Sequence, residues 1–144
     1  MIKASSNIVI NASPDRVAQV VFDPTKDSRW LSGVLSSDFI EGSDLRVGSK
    51  IAKKAEYFGK RYDAEFEIVE FQKDELLRMR TESPFPFEVL FKLEKVATGT
   101  QFEMSLAALE KLPVPVPEFI VKRALEESIA RDLKKLAVLL ASDG

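Results

Sequence analysis

The sequence contains no cysteine and no histidine. Without cysteine there is no disulfide, no thiolate nucleophile and no cysteine-ligated metal, and the redox compartment stays open. Without histidine the chain lacks the side chain best suited to proton transfer near neutral pH and the commonest transition-metal ligand. A Ser-His-Asp triad cannot be assembled. An excess of one charge is also missing. The 21 basic and 23 acidic residues leave a net charge of -2, whereas a dedicated nucleic-acid binder presents a net basic surface to the phosphates. Long apolar runs are absent too. The longest, Leu136 to Ala141, is far short of a bilayer span. Met1 to Asn7 has no apolar stretch after Lys3 of the kind a signal peptide needs. No phosphate-binding glycine loop, dinucleotide fingerprint or metal-ligand cluster is visible. The expectations are a cytoplasmic protein with no cofactor, no bound metal, no nucleic-acid partner and no integral membrane association.

What the chain does have is apolar patterning. At 144 residues and 45% hydrophobic, it can bury a sizeable core in one domain, residues 1–144. Ile2 to Asn11 reads as a strand. Ser13-Pro14-Asp15 reads as a helix start, with Ser13 as N-cap, Pro14 at the first position and Asp15 at the positive end of the dipole. Asp23-Pro24 stops that helix, and Asp27 to Leu31 forms a second short helical turn. From Leu35 the period becomes two. Strands are expected over Ser36–Glu41, Lys50–Phe58, Tyr62–Ile68, Leu77–Glu82, Phe87–Glu94 and Gln101–Leu109. Gly59-Lys60 is the expected hairpin turn between the second and third of these. Consecutive strands with short turns make an antiparallel meander with one apolar face.

Its cover is the final third. The ladder Leu112-Pro113-Val114-Pro115-Val116-Pro117 leads to an amphipathic segment from Glu118 to about Leu140. Pro117 suits the first helical position, and Leu125, Ile129, Leu133, Leu136 and Leu140 recur at spacings of three and four. A helix of about 23 residues spans roughly 35 Å and a ten-residue strand about 33 Å, so this helix can cross the whole sheet.

That order, together with Ile10-x-Ala12-Ser13-Pro14-x-x-Val17, Asp27-x-x-Trp30, Val47-Gly48, Gly59-Lys60 and Gly99-Thr100, resembles the START-like (SRPBCC) superfamily, closest to its polyketide cyclase/dehydrase-like members. The resemblance implies an α+β helix-grip fold: a curved antiparallel sheet of about six to seven strands around a long C-terminal helix, with two short helices after the first strand. It also implies a cavity between sheet and helix for a small apolar or amphipathic molecule. Binding, transport or sensing of such a ligand is the first expectation. The alternatives are a cyclase/dehydratase-like enzyme using cavity Tyr, Lys or carboxylate groups, which the missing histidines disfavour, and an interaction module whose cavity is filled. A homodimer stays open.

The candidate cavity residues come from the inward parity of the strands. They are Tyr57, Tyr62, Phe66 and Met79, then Phe87, Phe91 and Met104, with Phe119 from the helix. The plain alternative for each is core packing. A two-residue turn at Gly59-Lys60 sets Lys53 inward opposite Phe66, where a lysine has to pair, snorkel or meet an anionic head group. A different turn length would expose Lys53 and present Lys54 and Glu56 instead. Trp30, the only tryptophan, is expected near a mouth of the cavity or as a packing anchor. The basic residues Lys50, Lys53, Lys54, Lys60 and Arg61 lie among Glu56, Asp63, Glu65 and Glu67 and read as a solvated mixed-charge face.

Overall fold

The computed structural model describes residues 1–57 and 59–142. Seven strands form one antiparallel sheet in the order β1-β7-β6-β5-β4-β3-β2. They are β1 (Lys3–Ile10), β2 (Val34–Phe39), β3 (Lys50–Tyr57), β4 (Lys60–Gln72), β5 (Leu76–Thr81), β6 (Phe87–Val96) and β7 (Gly99–Ala108). From β2 to β7 each strand pairs with the next, and β1 closes against β7, so β1 and β2 are the two edges. Between them run α1 (Pro14–Val21) and a 3-10 helix, Pro24–Arg29. The long helix α2 (Glu118–Ser142) follows the proline-rich stretch and lies closest to β1.

Local chemistry accounts for most of these boundaries. Pro14 does open α1, but Ser13 makes no side-chain cap. Its hydroxyl donates instead to Asp15 Oδ1. Asp23 does more than end α1: its carboxylate accepts from the Thr25 N–H and caps the 3-10 helix. Pro117 stands one residue before α2, not inside it. Gly99 is required where β7 passes the end of β1. Its φ of +145 is unfavourable for L side chains, and a Cβ there would sit 2.1 Å from the Ile10 carbonyl oxygen.

The hairpin between β3 and β4 differs from expectation. Tyr57 pairs with Lys60, so Lys60 is the first strand residue and not a turn residue. Phe58, expected as the last residue of the strand, lies outside the described residues. The pairing has slipped by two: Lys53 faces Ala64, not Phe66, and Ile51 faces Phe66, not Ile68. A slip of two preserves side-chain parity, so Ile51, Lys53 and Ala55 still point inward, with exposures of 0, 5 and 7%.

The inward faces of the strands, α1 and one stripe of α2 share one core. It joins Phe66, Met79, Phe91, Phe102 and Met104 to Ile129, Leu133, Leu136 and Leu140. Trp30 lies inside it. The outer face carries exposed ion pairs such as Lys50–Glu65 and Arg61–Glu56, each of small energetic value.

Candidate functional site

Two polar clusters interrupt the apolar interior, both attached to residues 27–37. In the first, Lys53 is 5% exposed and Asp27 2%. Lys53 Nζ lies 3.3 Å from Asp27 Oδ2, and Ser37 Oγ donates to the same oxygen at 2.9 Å. The lysine also stands over the Phe66 ring, 4.7 Å from its centroid, a favourable cation–π distance. Burial pushes the Asp27 carboxyl above its ordinary pKa; Lys53 and Ser37 act in the opposite direction.

Ser37 reaches this cluster because β2 is irregular. Val34 pairs with Ala55 but Ser36 pairs with Lys54, so Leu35 is an extra residue. The bulge reverses the parity beyond it. Ser37 then lies opposite Lys53 on the inner face, where a regular strand would have turned it outward.

The second cluster joins α2 to the turn before β2. Asp132, 7% exposed, accepts from the Ser32 N–H at 3.3 Å and the Ser32 hydroxyl at 2.8 Å, both at Oδ1. Tyr57 lies beside it. A Cβ on Gly33 would come within 2.3 Å of the Tyr57 ring, so the ring lies flush on that glycine. Tyr57 is 40% exposed as a residue, but its hydroxyl is shielded. Burial, then the Asp132 and Asp27 carboxylates, push that hydroxyl up to about 12. At neutral pH Tyr57 is therefore a hydrogen-bond donor and not a base. Trp30, between the clusters in sequence, is fully buried. It packs on Phe91 and Phe102 with centroid distances of 5.5 and 5.8 Å, and its Nε1 has no hydrogen-bond partner among the described residues.

The expected site residues are thus distributed unevenly. Lys53 and Tyr57 stand at the polar clusters. Phe66, Met79, Phe91 and Met104 are buried in the common core. Phe87 is half-buried and stacks edge-on against Phe66 at 5.4 Å, and half-buried Tyr62 does so against Phe85 at 5.8 Å. Trp30 is in the middle of the core and not near a mouth. Phe119 does not face inward. It is 73% exposed, because Val121, four residues before Leu125, takes the inward position of the helix. Lys53 is also removed from the solvated basic face to which its neighbours Lys54 and Lys60 belong.

Sequence reasoning missed Asp27, Ser37, Ser32 and Asp132. Asp132 carried a readable signal: it sits three residues after Ile129 and four before Leu136, inside the apolar stripe. Asp27 and Ser37 carried none, since an irregular 3-10 turn and a bulge decide their directions. Two open concavities, of about 280 and 390 Å³, lie elsewhere. The first is lined by Lys50, Glu67, Arg80 and Ser83, and the second by Glu41, Asp44, Arg46 and Ser49. Neither is lined by Trp30, Lys53, Tyr57 or Asp132. Among the described residues no three acidic side chains group as a metal site, and no helix is long and apolar enough to cross a membrane.

A family described as polyketide cyclase / dehydrase and lipid transport matches residues 1–141. No curated protein matches the sequence. Among solved structures, a START superfamily protein from Mycobacterium smegmatis superposes with a TM-score of 0.81 at 17% identity, covering 99% of both chains. A protein from Thermus thermophilus gives 0.77 at 18% identity, also covering 99% of both. A protein of unknown function from Staphylococcus aureus gives 0.76 at 14%, covering 99% of this chain and 94% of its own. At such identities these likenesses establish the fold, a START-like helix grip.

Proposed function

The chain belongs to the polyketide cyclase/dehydrase and lipid transport family, and from that premise we propose that it binds a small hydrophobic or amphipathic ligand between the inner face of the sheet and α2. The observation that carries this reading is a largely apolar inner face with polar groups gathered at one place, the arrangement that ligand sites use to combine affinity with orientation. Tyr62, Phe66, Met79, Phe87, Phe91 and Met104 would supply apolar contact. Trp30 and Tyr57 would orient the polar end. The Asp27–Lys53 pair is closed on itself, which makes it a structural post more than an acid or base. A cytoplasmic location goes with this reading.

One observation favours a second reading. Trp30 packs on Phe91 and Phe102 in the centre of the shared core, as in an interaction module whose interior is filled by its own side chains. Native mass spectrometry of protein purified from cells separates the two, followed by titration with the neutral dye Nile red. Ligand carriage predicts a co-purified lipid-like mass, or saturable dye binding that a long-chain alcohol displaces. If no mass is carried and no dye binds, the interior is filled and the first reading is wrong.

A further inference from the structure

Among the described residues Phe119 is the only exposed phenylalanine, 73% exposed in the first turn of α2. It does not stand alone. Val116 and Ile120 flank it in sequence at 46% each. Met1, 79% exposed, is brought alongside: its amino nitrogen lies 3.7 Å from Glu118 Oε2. Single exposed apolar side chains need no explanation, but a contiguous group of them marks a contact surface. The same turn sends Val121, 2% exposed, into the core, so the start of α2 is apolar on its inner and its outer side. Pro113, Pro115 and Pro117 approach it with fixed φ angles, which leaves little chain to be ordered on contact.

The surroundings of this patch are basic. Lys3 follows Met1, Lys111 precedes the proline ladder, and Lys122 and Arg123 lie three and four residues after Phe119, beside it on the helix. All four are exposed, and only Glu110 and Glu118 oppose them there. Among the described residues none of the four has a carboxylate within ion-pair distance. A positive rim thus surrounds exposed apolar side chains on a chain whose total charge is -2. That combination selects the partner. A second copy docking through the same patch would set these cations against their own counterparts. An anionic bilayer meets both features, with phosphates for the cations and an acyl boundary for the apolar groups. Lysine and arginine stems are long enough to reach phosphates while the Phe119 ring enters below them. Glu126 and Glu127, one turn further on, confine the contact to the start of the helix. We propose that the proline-rich stretch and the first turn of α2 dock peripherally on an anionic lipid bilayer, with Val116, Phe119 and Ile120 entering the headgroup–acyl boundary and Lys111, Lys122 and Arg123 on the phosphates. This goes beyond the ligand-binding reading and stands whether or not the interior takes a guest.

The test is co-flotation of the whole protein with vesicles of phosphatidylcholine and phosphatidylglycerol, in a molar ratio of about three to one, against phosphatidylcholine alone. Binding to the anionic vesicles should be about tenfold stronger or more, and should fall as salt is raised. Lys122→Gln and Arg123→Gln should each weaken it about fivefold. Phe119→Ser should weaken it several-fold at a position exposed enough to leave the fold intact. In Phe119→Trp the emission should shift to the blue when anionic vesicles are added, over a constant background from fully buried Trp30. No flotation with anionic vesicles at low salt overturns the inference. Equal binding to both kinds of vesicle overturns the role of the cations. Binding undiminished in Phe119→Ser places the contact elsewhere and overturns the assignment of this patch. A concentration-dependent dimer in sedimentation velocity that Phe119→Ser abolishes gives the patch to a second copy instead. Nile red titration keeps the two readings apart. A protein that binds the dye but no vesicle retains the ligand-binding reading and loses this one, and a protein that floats with vesicles but carries no ligand and binds no dye does the reverse.

Discussion

At the scale of single residues, the decisive feature is Lys53 in a place where a lysine is expensive. Desolvating an ammonium group costs several kcal/mol, offset only by a close partner. Here Asp27 stands at 3.3 Å and the Phe66 ring at 4.7 Å. Lys53→Met removes one half of the pair and strands Asp27 among apolar groups; a loss of about 3–5 kcal/mol in denaturant unfolding is expected. Combining it with Asp27→Leu should recover most of that loss, because two apolar residues of similar volume replace a desolvated pair. A double variant no better than Lys53→Met would show that the pair matters for something other than mutual compensation. Tyr57 gives a second residue-scale prediction. Its hydroxyl titrates near 12 in the folded protein against 10.0 ordinarily, so the unfolded chain releases that proton first. The associated stability is complete below about pH 10 and is lost as pH rises from 10 toward 12. Tyr57→Phe should flatten the fall of urea midpoint across that interval and leave the pH dependence between about 7 and 9 little changed.

At the scale of elements, α2 and β2 show how one polar residue in a patterned segment changes what the segment does. The apolar stripe of α2 could be read from spacing alone, and Leu133 at 1% exposure lies on it. Leu133→Ala should cost about 2–5 kcal/mol in equilibrium unfolding. Phe119→Ala, at a position 73% exposed, should stay within about 0.5 kcal/mol. If the two values were alike, the helix phase described above would be wrong. Asp132 is the exception within the stripe: it docks α2 onto Ser32 and the turn before β2. In β2 the extra residue Leu35 turns Ser37 inward onto Asp27. The two devices pin the same short segment from opposite sides, one from the sheet and one from the helix. Trp30 is thereby held against Phe91 and Phe102.

At the scale of the whole molecule, sheet and helix share a continuous core, so a ligand between them has to compete with side chains already in contact. Binding that is confined to the folded state raises stability by about 2.7 kcal/mol at roughly 100 times the Kd. Nile red at that excess should move the urea midpoint upward by the equivalent amount. A dye that binds and yet leaves the midpoint where it was would be binding at the surface.

The sequence by itself determined the strands, the meander, the long helix and its inward stripe, because periods of two and 3.6 are local properties that burial then enforces. For Lys53 it left two parities open, and the β3–β4 pairing, slipped by two, keeps the inward one. Only the tertiary structure decided what Lys53 meets. Asp27 comes from a 3-10 turn earlier in the chain, Ser37 is turned by a bulge, and Asp132 joins Ser32 across 100 residues. Such contacts leave no periodic trace, because they depend on how a curved sheet brings its far edge to the helix that crosses it. The interior's apolar character was therefore legible from the chain. Its one buried side-chain donor without a partner among the described residues, Trp30 Nε1, is stranded only where the folded elements meet.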